Sequence, residues 1–172
     1  MITTFITIRP HLAEYAKAVF AVPDENYIQV PRTDDLYHII SNLMQKRPED
    51  CPVVTKGNLE IALPARSRGK CPLTYNYISV RASDIIEKKI EALFWAHLHE
   101  FVDEYRHKIR KENAESVFHI KDCVYIFMQK FRITEITDAA IVKHYYRWRE
   151  SIRRQLKKRN YNLSQKSKNE HI

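Results

Sequence analysis

Hydrophobic and polar residues in the first fifty positions alternate between a strand pattern and a helix pattern. Residues 2–8 are rich in β-branched side chains, which predicts a strand. Apolar residues at helical spacing over 10–20 predict a helix, and residues 27–30 form a second short apolar run that is typical of a strand. Thr33 is a suitable cap for another helix that ends near residue 45. We therefore expect the chain to begin as strand, helix, strand, helix.

The middle of the chain has the pattern of a β-hairpin. Residues 58–63 and 74–80 are predicted to be its two strands, and prolines bound both of them. The connecting residues 64–73 concentrate positive charge, which makes this loop a candidate phosphate contact. The cations of the loop are Arg66, Arg68 and Lys70.

The second half of the chain keeps helical spacing of its apolar residues. Helices are predicted over about 83–111 and 117–130. A third helix is predicted to start at Thr134 or Thr137 and to end near residue 158. Large aromatic side chains on these helices are expected to build the core of this unit. They are Phe94, Trp95, Phe101, Phe118, Phe127, Phe131 and Trp148.

These elements predict a helix-rich α+β fold. A small N-terminal sheet with two helices and a basic β-hairpin is expected in residues 1–82, a three-helix C-terminal unit in 83–159, and a flexible polar tail in 160–172. The chain has 172 residues, 44% of them hydrophobic, which fits one domain with a tail and excludes a wholly disordered protein. The sequence contains only 2 glycines, which argues against a glycine-rich nucleotide-binding loop.

Positive charge is unevenly distributed along the sequence. The chain has 29 Lys and Arg against 21 Asp and Glu, a net charge of +8. Residues 51–82 carry 5 basic and 1 acidic groups, and residues 137–172 carry 10 basic and 3 acidic groups. Such a balance points to polyanionic partners without indicating a fold.

The last predicted helix has an apolar stripe. At about 100° per residue the apolar side chains fall on one face, so we expect that face to dock on the core. These residues are Ile141, Tyr145, Trp148, Ile152 and Leu156.

The other side of this helix carries seven basic residues against one acid, Glu150. A merely solvated charged face normally mixes both signs, so this imbalance favours contact with phosphates. Like charges on neighbouring turns also repel, and a polyanion would relieve that repulsion. The basic residues are Lys143, Arg147, Arg149, Arg153, Arg154, Lys157 and Lys158.

Residues 120–149 read IKDCVYIFMQKFRITEITDAAIVKHYYRWR. An apolar helix is followed by a short turn at 131–134 and then by a Thr-capped helix with basic and aromatic side chains. This segment resembles the helix-turn-helix of DNA-binding proteins from phages or mobile elements, with Arg132 at the turn position that glycine often occupies. The resemblance implies that the second helix enters the major groove of DNA.

We predict a small non-enzymatic DNA-binding protein, a transcriptional regulator or a mobile-element accessory factor. In the helix-turn-helix interpretation Glu135, Thr137 and Asp138 would face the bases. Because two of the three are acidic, we expect phosphate contacts by the later, basic part of the helix rather than base reading. Two alternatives stay open: an assembly component that docks on an acidic protein, supported by the aromatic-rich helices, and an RNA-binding protein that uses Tyr75, Tyr77 and the basic loop.

No catalytic, cofactor or metal site is expected. His99, Asp103 and His107 share a helix face at spacing i, i+4, i+8, but solvated polar residues account for this pattern. No serine stands in a Gly-x-Ser-x-Gly setting, and the 3 cysteines have neither zinc-ribbon nor redox spacing. We therefore expect reduced thiols in a cytoplasmic protein. No signal peptide or membrane span is predicted, and the sequence leaves the oligomeric state open.

Overall fold

The computed structural model describes the backbone of residues 1–65, 69–112 and 119–169, and the side chains of 1–65, 69–108 and 119–159. Within these ranges it contains five helices and one two-stranded antiparallel sheet, so the predicted helix-rich α+β class is confirmed. The elements are β1 (Thr3–Ile6), α1 (Pro10–Val19), α2 (Asp35–Leu43), β2 (Leu59–Ala62), α3 (Val80–Glu112), α4 (Ile120–Lys130) and α5 (Asp138–Asn169).

The sheet pairs β1 with β2, which lies more than fifty residues later in the chain. The strands run antiparallel, with Thr3 opposite Ala62 and Ile6 opposite Leu59. Both strands bury apolar side chains against the core. The predicted hairpin between β2 and residues 74–80 is therefore wrong, because β2 pairs with β1 on one edge and bridges Ile28 on the other.

Residues 74–80 do not form a strand. The Tyr75 N–H donates to the carbonyl oxygen of Cys71 at 2.8 Å, so a turn occupies the start of this segment. Its sheet-like contact is an isolated bridge between Tyr77 and Gln45. Helix α3 begins at Val80, the last residue of this segment.

The predicted strand at 27–30 is also wrong, since it is reduced to isolated bridges at Ile28. The Ile28 N–H donates to the Glu60 carbonyl at 2.9 Å, and its own carbonyl accepts from the Ala62 N–H at 2.9 Å. Pro31 follows shortly afterwards and has no N–H to extend the ladder. This segment thus covers one edge of β2 without becoming a strand.

Local hydrogen bonds set the helix starts. The cap of α2 is Asp34 rather than the predicted Thr33, because the Asp34 carboxylate accepts from the Leu36 N–H at 2.8 Å. Helix α3 begins earlier than predicted, and the Ser79 hydroxyl accepts from the Ala82 N–H at 3.2 Å. Helix α1 begins where its periodicity predicts.

Helix α3 is the centre of the molecule. Helices α1, α2 and α4 pack on it, and α5 packs on α4. Its buried stripe makes one continuous core with the sheet and the other helices. The stripe consists of Ile86, Ile90, Phe94, Leu98 and Val102.

The aromatic core predicted from the sequence is largely present. Three of its seven members are buried and three more are partly buried against the core, while Phe118 lies outside the described residues. The buried members are Phe94, Phe127 and Phe131, and the partly buried members are Trp95, Phe101 and Trp148.

Candidate nucleic-acid interface

The connection between α4 and α5 contains a tight helix end. The Ile133 N–H donates to the Met128 carbonyl at 2.9 Å, and the Arg132 N–H donates to the Gln129 carbonyl at 3.3 Å. This pair of bonds is a Schellman motif, which places a residue of left-handed backbone just after the helix. That residue is Arg132, with φ of +52°. The tight turn is therefore made by arginine in a conformation that costs less for glycine.

A carboxylate from α1 holds this connection in place. Glu14 accepts hydrogen bonds from the Thr134 N–H at 2.8 Å, the Thr134 hydroxyl at 2.5 Å and the Glu135 N–H at 3.1 Å. Burial alone would raise the pKa of Glu14, but the bonds from Thr134 and Glu135 hold that pKa below its ordinary value. Nothing in the sequence pattern indicates this contact, because its partners are some 120 positions apart.

The connection is longer than the helix-turn-helix resemblance implies. Seven residues, 131–137, separate α4 from α5, whereas such motifs typically use three or four. Glu135 lies in this connection, and the Thr137 hydroxyl accepts from the Ala140 N–H at 3.3 Å as a helix cap. Asp138 lies 3.6 Å from the Lys121 ammonium. The residues expected near the bases thus serve the turn and the helix start.

The apolar stripe of α5 docks only over its first turns. Ile141 and Tyr145 are buried, and Trp148 is partly buried. Ile152 and Leu156 are 38% and 51% exposed, so the prediction that they reach the core is wrong. Every side chain from 150 to 159 is exposed, which means that α5 leaves the body of the protein after its third turn. The helix continues to Asn169, well past the predicted end near residue 158.

Two histidines and two tryptophans join α3 to α5. The ring of Trp95 stacks on that of His144 with centroids 3.5 Å apart, and the ring of His99 stacks on that of Trp148 at 3.6 Å. Both pairs are nearly parallel, at 14° and 15°. Because each helix contributes residues at spacing i, i+4, the four rings interleave along the seam. His99 is therefore part of the packing between helices, and its interpretation as a solvated polar residue is wrong.

The environment of this ring stack keeps both imidazoles neutral near pH 7. Burial lowers the pKa of His99 to about 4, helped by the neighbouring His144 and opposed by Asp103. Burial also lowers the pKa of His144, with Glu91 opposing and Arg147 adding to the shift. The His99 Nε2 and His144 Nδ1 atoms are buried, and no described residue forms a hydrogen bond with them. Protonation of either ring would place a charge in the seam that Asp103 or Glu91 offsets only in part.

The basic side of α5 is exposed to solvent. We call six of its side chains the cationic face. Glu150 forms an ion pair with Arg154 at 2.6 Å, in which the two side chains are 62% and 76% exposed, and it is the only carboxylate among the described residues with an ion pair to this face. Arg149 is half-buried, with its guanidinium 5.8 Å from the centroid of the Tyr145 ring. The cationic face consists of Lys143, Arg147, Arg153, Arg154, Lys157 and Lys158.

The loop predicted as a second phosphate contact is only partly described. Arg66 and Arg68 lie outside the described residues. The ammonium of Lys70 caps the C-terminal end of α2. It donates to the carbonyl oxygens of Asn42 at 2.7 Å, Met44 at 2.9 Å and Ser41 at 3.3 Å. Because all three of these bonds stabilise the end of α2, we do not count Lys70 among the residues that would contact phosphates.

The two tyrosines considered for RNA binding are engaged within the protein. The ammonium groups of Lys46 and Lys70 lie 5.8 and 6.0 Å from the centroid of the Tyr75 ring. The Tyr77 hydroxyl lies 4.0 Å from the Cys51 sulfur. Both residues are partly buried.

Neither the described residues nor the comparisons assign this chain to a known class. The described part of the chain contains no group of three His, Cys, Asp or Glu side chains placed to hold a metal ion. None of its helices combines the length and the apolar character that crossing a membrane requires. Comparisons with protein-family models, curated proteins and solved structures returned no match, so the site must be interpreted from its own geometry.

Proposed function

We propose that this chain is a non-enzymatic DNA-binding protein that contacts phosphates through the cationic face of α5. One observation carries the proposal: six cationic side chains project into solvent from a helix segment on which Glu150 is the only acid. The proposal keeps the role of a regulator or mobile-element accessory factor suggested by the resemblance of 120–149. It also keeps a cytoplasmic location, since the three cysteines are free thiols.

The length of the cationic face favours a polymer over a small anion. Between Lys143 and Lys158 the helix rises by about 22 Å at about 1.5 Å per residue. A DNA duplex presents one phosphate about every 1.7 Å along its axis, so it can meet several of these cations at once. A small anion would meet one or two of them and leave the others repelling each other.

A second candidate function is docking on an acidic protein. The exposed Ile152 and Leu156 favour it, because they add an apolar contact to the same projecting segment. This stripe is narrow, and both of its residues lie on the side of the helix opposite Arg147 and Arg154. An acidic partner would therefore have to wrap around the helix to use both features.

A salt titration of DNA binding tests the proposed function. The affinity for a short random duplex is measured by fluorescence anisotropy between about 50 and 200 mM salt, where each phosphate contact contributes about 0.9 to the slope of log affinity against log salt. We expect a slope of about −4 to −5, reduced by about 2 in the double variant Arg147→Ala, Arg154→Ala. The matched control is Lys56→Ala with Lys88→Ala, which removes the same charge from exposed positions elsewhere.

Three results would contradict the proposal. Absence of duplex and single-strand binding at the lowest salt would remove it. Equal losses in the two double variants would mean that net charge alone, and not the cationic face, attracts DNA. Binding of poly-glutamate as tight as binding of DNA at the same salt would favour the acidic-protein candidate.

A further inference from the structure

A shallow groove runs along the side of α5 that faces the start of α4. Its volume is about 530 Å³, within the usual range of ligand pockets. Ala139 and Val142 contribute apolar surface, and Glu150 is its acidic member. The cations that line it come from both helices, Lys121 from α4 together with Lys143 and Arg147 from α5.

The groove contains an aromatic ring that is more than half exposed to solvent. Tyr146 lines it and is 54% exposed. At about 100° per residue, Tyr146 falls between Arg153 and Lys157 and within about 60° of Lys143, toward one edge of the cationic face. Phosphate contacts require cations but no aromatic ring. The position of Tyr146 beside these cations therefore favours a ligand that combines negative charge with a flat apolar surface.

We propose that Tyr146 stacks on an unpaired nucleobase and that the ligand of this face is single-stranded DNA. This inference rests on the proposed function and specifies the form of DNA that the face binds. In a duplex each base is already stacked between its neighbours, so Tyr146 would meet only the backbone. A single strand presents base faces and phosphates together, which matches an aromatic ring flanked by cations.

The shape of the groove distinguishes this ligand from a protein helix. A docked amphipathic helix needs a row of apolar pockets for residues at i, i+3, i+4 and i+7. Here one exposed ring and two small or medium aliphatic side chains lie beside Lys143, Arg147 and Glu150 along the groove. The ring and the two cations suit a base with flanking phosphates, and the ion pair with Arg154 offsets the negative charge of Glu150.

The test compares three probes of equal length at one low salt concentration. They are an oligothymidylate of about 16 nucleotides, an abasic oligomer with the same phosphates, and a random duplex. We expect the wild type to bind the oligothymidylate roughly 5- to 150-fold more tightly than the abasic oligomer, the range for one base stacked on an aromatic ring. Tyr146→Ala should abolish that difference while leaving abasic binding unchanged, and Tyr146→Phe should retain it.

Tyr125→Ala is the matched control, since Tyr125 is 59% exposed on α4 but does not line the groove. It should bind all three probes as the wild type does. Unchanged circular dichroism and melting temperature of Tyr146→Ala would exclude unfolding as the cause of its loss.

The outcomes separate this inference from the proposed function. Equal wild-type affinity for the oligothymidylate and the abasic oligomer, or tighter binding of the duplex, would overturn base stacking and leave phosphate binding intact. The same loss in Tyr125→Ala as in Tyr146→Ala would show that the groove is not the site. No binding of any probe would overturn both proposals.

Discussion

Acidification should weaken the seam between α3 and α5 through His99. The imidazole is neutral in the folded protein, where burial lowers its pKa from 6.5 to about 4. In the unfolded chain the ring returns to its ordinary pKa, so between these two values the unfolded state binds more protons than the folded state. The stabilising contribution of the neutral ring is therefore complete above pH 6.5 and is lost as the pH falls toward 4.

The magnitude follows from the gap between the two pKa values. At about 1.36 kcal/mol for each pH unit, the full effect is about 3 kcal/mol, and between pH 7 and pH 5 the proton linkage gives about 2 kcal/mol. The ring retains some solvent access, so we expect about 1–2 kcal/mol in practice. The neighbouring His144 reinforces the loss because its pKa is lowered as well, whereas Asp103 attracts the proton and reduces it.

The assay is urea denaturation followed by far-UV circular dichroism at pH 7 and pH 5. The informative variant is His99→Phe, which keeps a flat ring against Trp148 and has no group to protonate. Wild type should lose about 1–2 kcal/mol more than this variant between the two pH values. His38→Phe, which changes an exposed histidine on α2, should follow the wild type. Equal losses in wild type and His99→Phe would refute the assignment of the acid sensitivity to this ring.

Three further changes test the packing around the candidate interface by thermal and urea melts. Arg132→Gly should raise the free energy of unfolding by about 1 kcal/mol by relieving left-handed backbone strain; a destabilised variant would contradict the turn geometry. Glu14→Gln should lower the free energy of unfolding by about 1–2 kcal/mol at pH 7 relative to Glu25→Gln. Because the fold lowers the pKa of Glu14, this difference in stability should shrink as the pH falls below 4.5. Trp148→Ala should lower the melting temperature by several degrees, and an unchanged value would contradict the stack.

Helical periodicity predicted the parts of the fold that a single buried stripe defines. Helices α1 and α4 lie close to their predicted bounds, because each packs one apolar face on α3. The pairing of β2 could not be predicted in the same way. An alternating pattern marks a strand but does not identify its partner, and the apparent hairpin partner at 74–80 was favoured only by its proximity in sequence. The actual partner, β1, is distant in the chain.

In the candidate site, too, local helix patterns could be predicted from the sequence but contacts between distant segments could not. The exposure of Lys143 and Arg147 follows from the angular position of those residues on α5 and was predicted. Lys70 looked like a free cation in the sequence, but its ammonium caps α2, a contact that depends on how two distant segments meet. Tyr146 was missed although its angular position between Arg153 and Lys157 was available from the sequence. Its significance depends on its exposure, which only the structure gives.

The two halves of α5 stand in different physical situations, and this difference bears on how the protein would bind DNA. The first half is fixed by Ile141, Tyr145 and the ring stack, whereas the side chains of residues 150–159 are all exposed and include several like charges on neighbouring turns. A helix without packing is marginal in water, and repulsion between like charges weakens it further. Phosphates that neutralise Arg154 and Lys158 would therefore stabilise the helix as well as bind it. Added salt would have two opposing effects on binding. It would stabilise the helix slightly by screening the repulsion, and it would weaken the affinity more strongly because fewer counterions are released on binding phosphates.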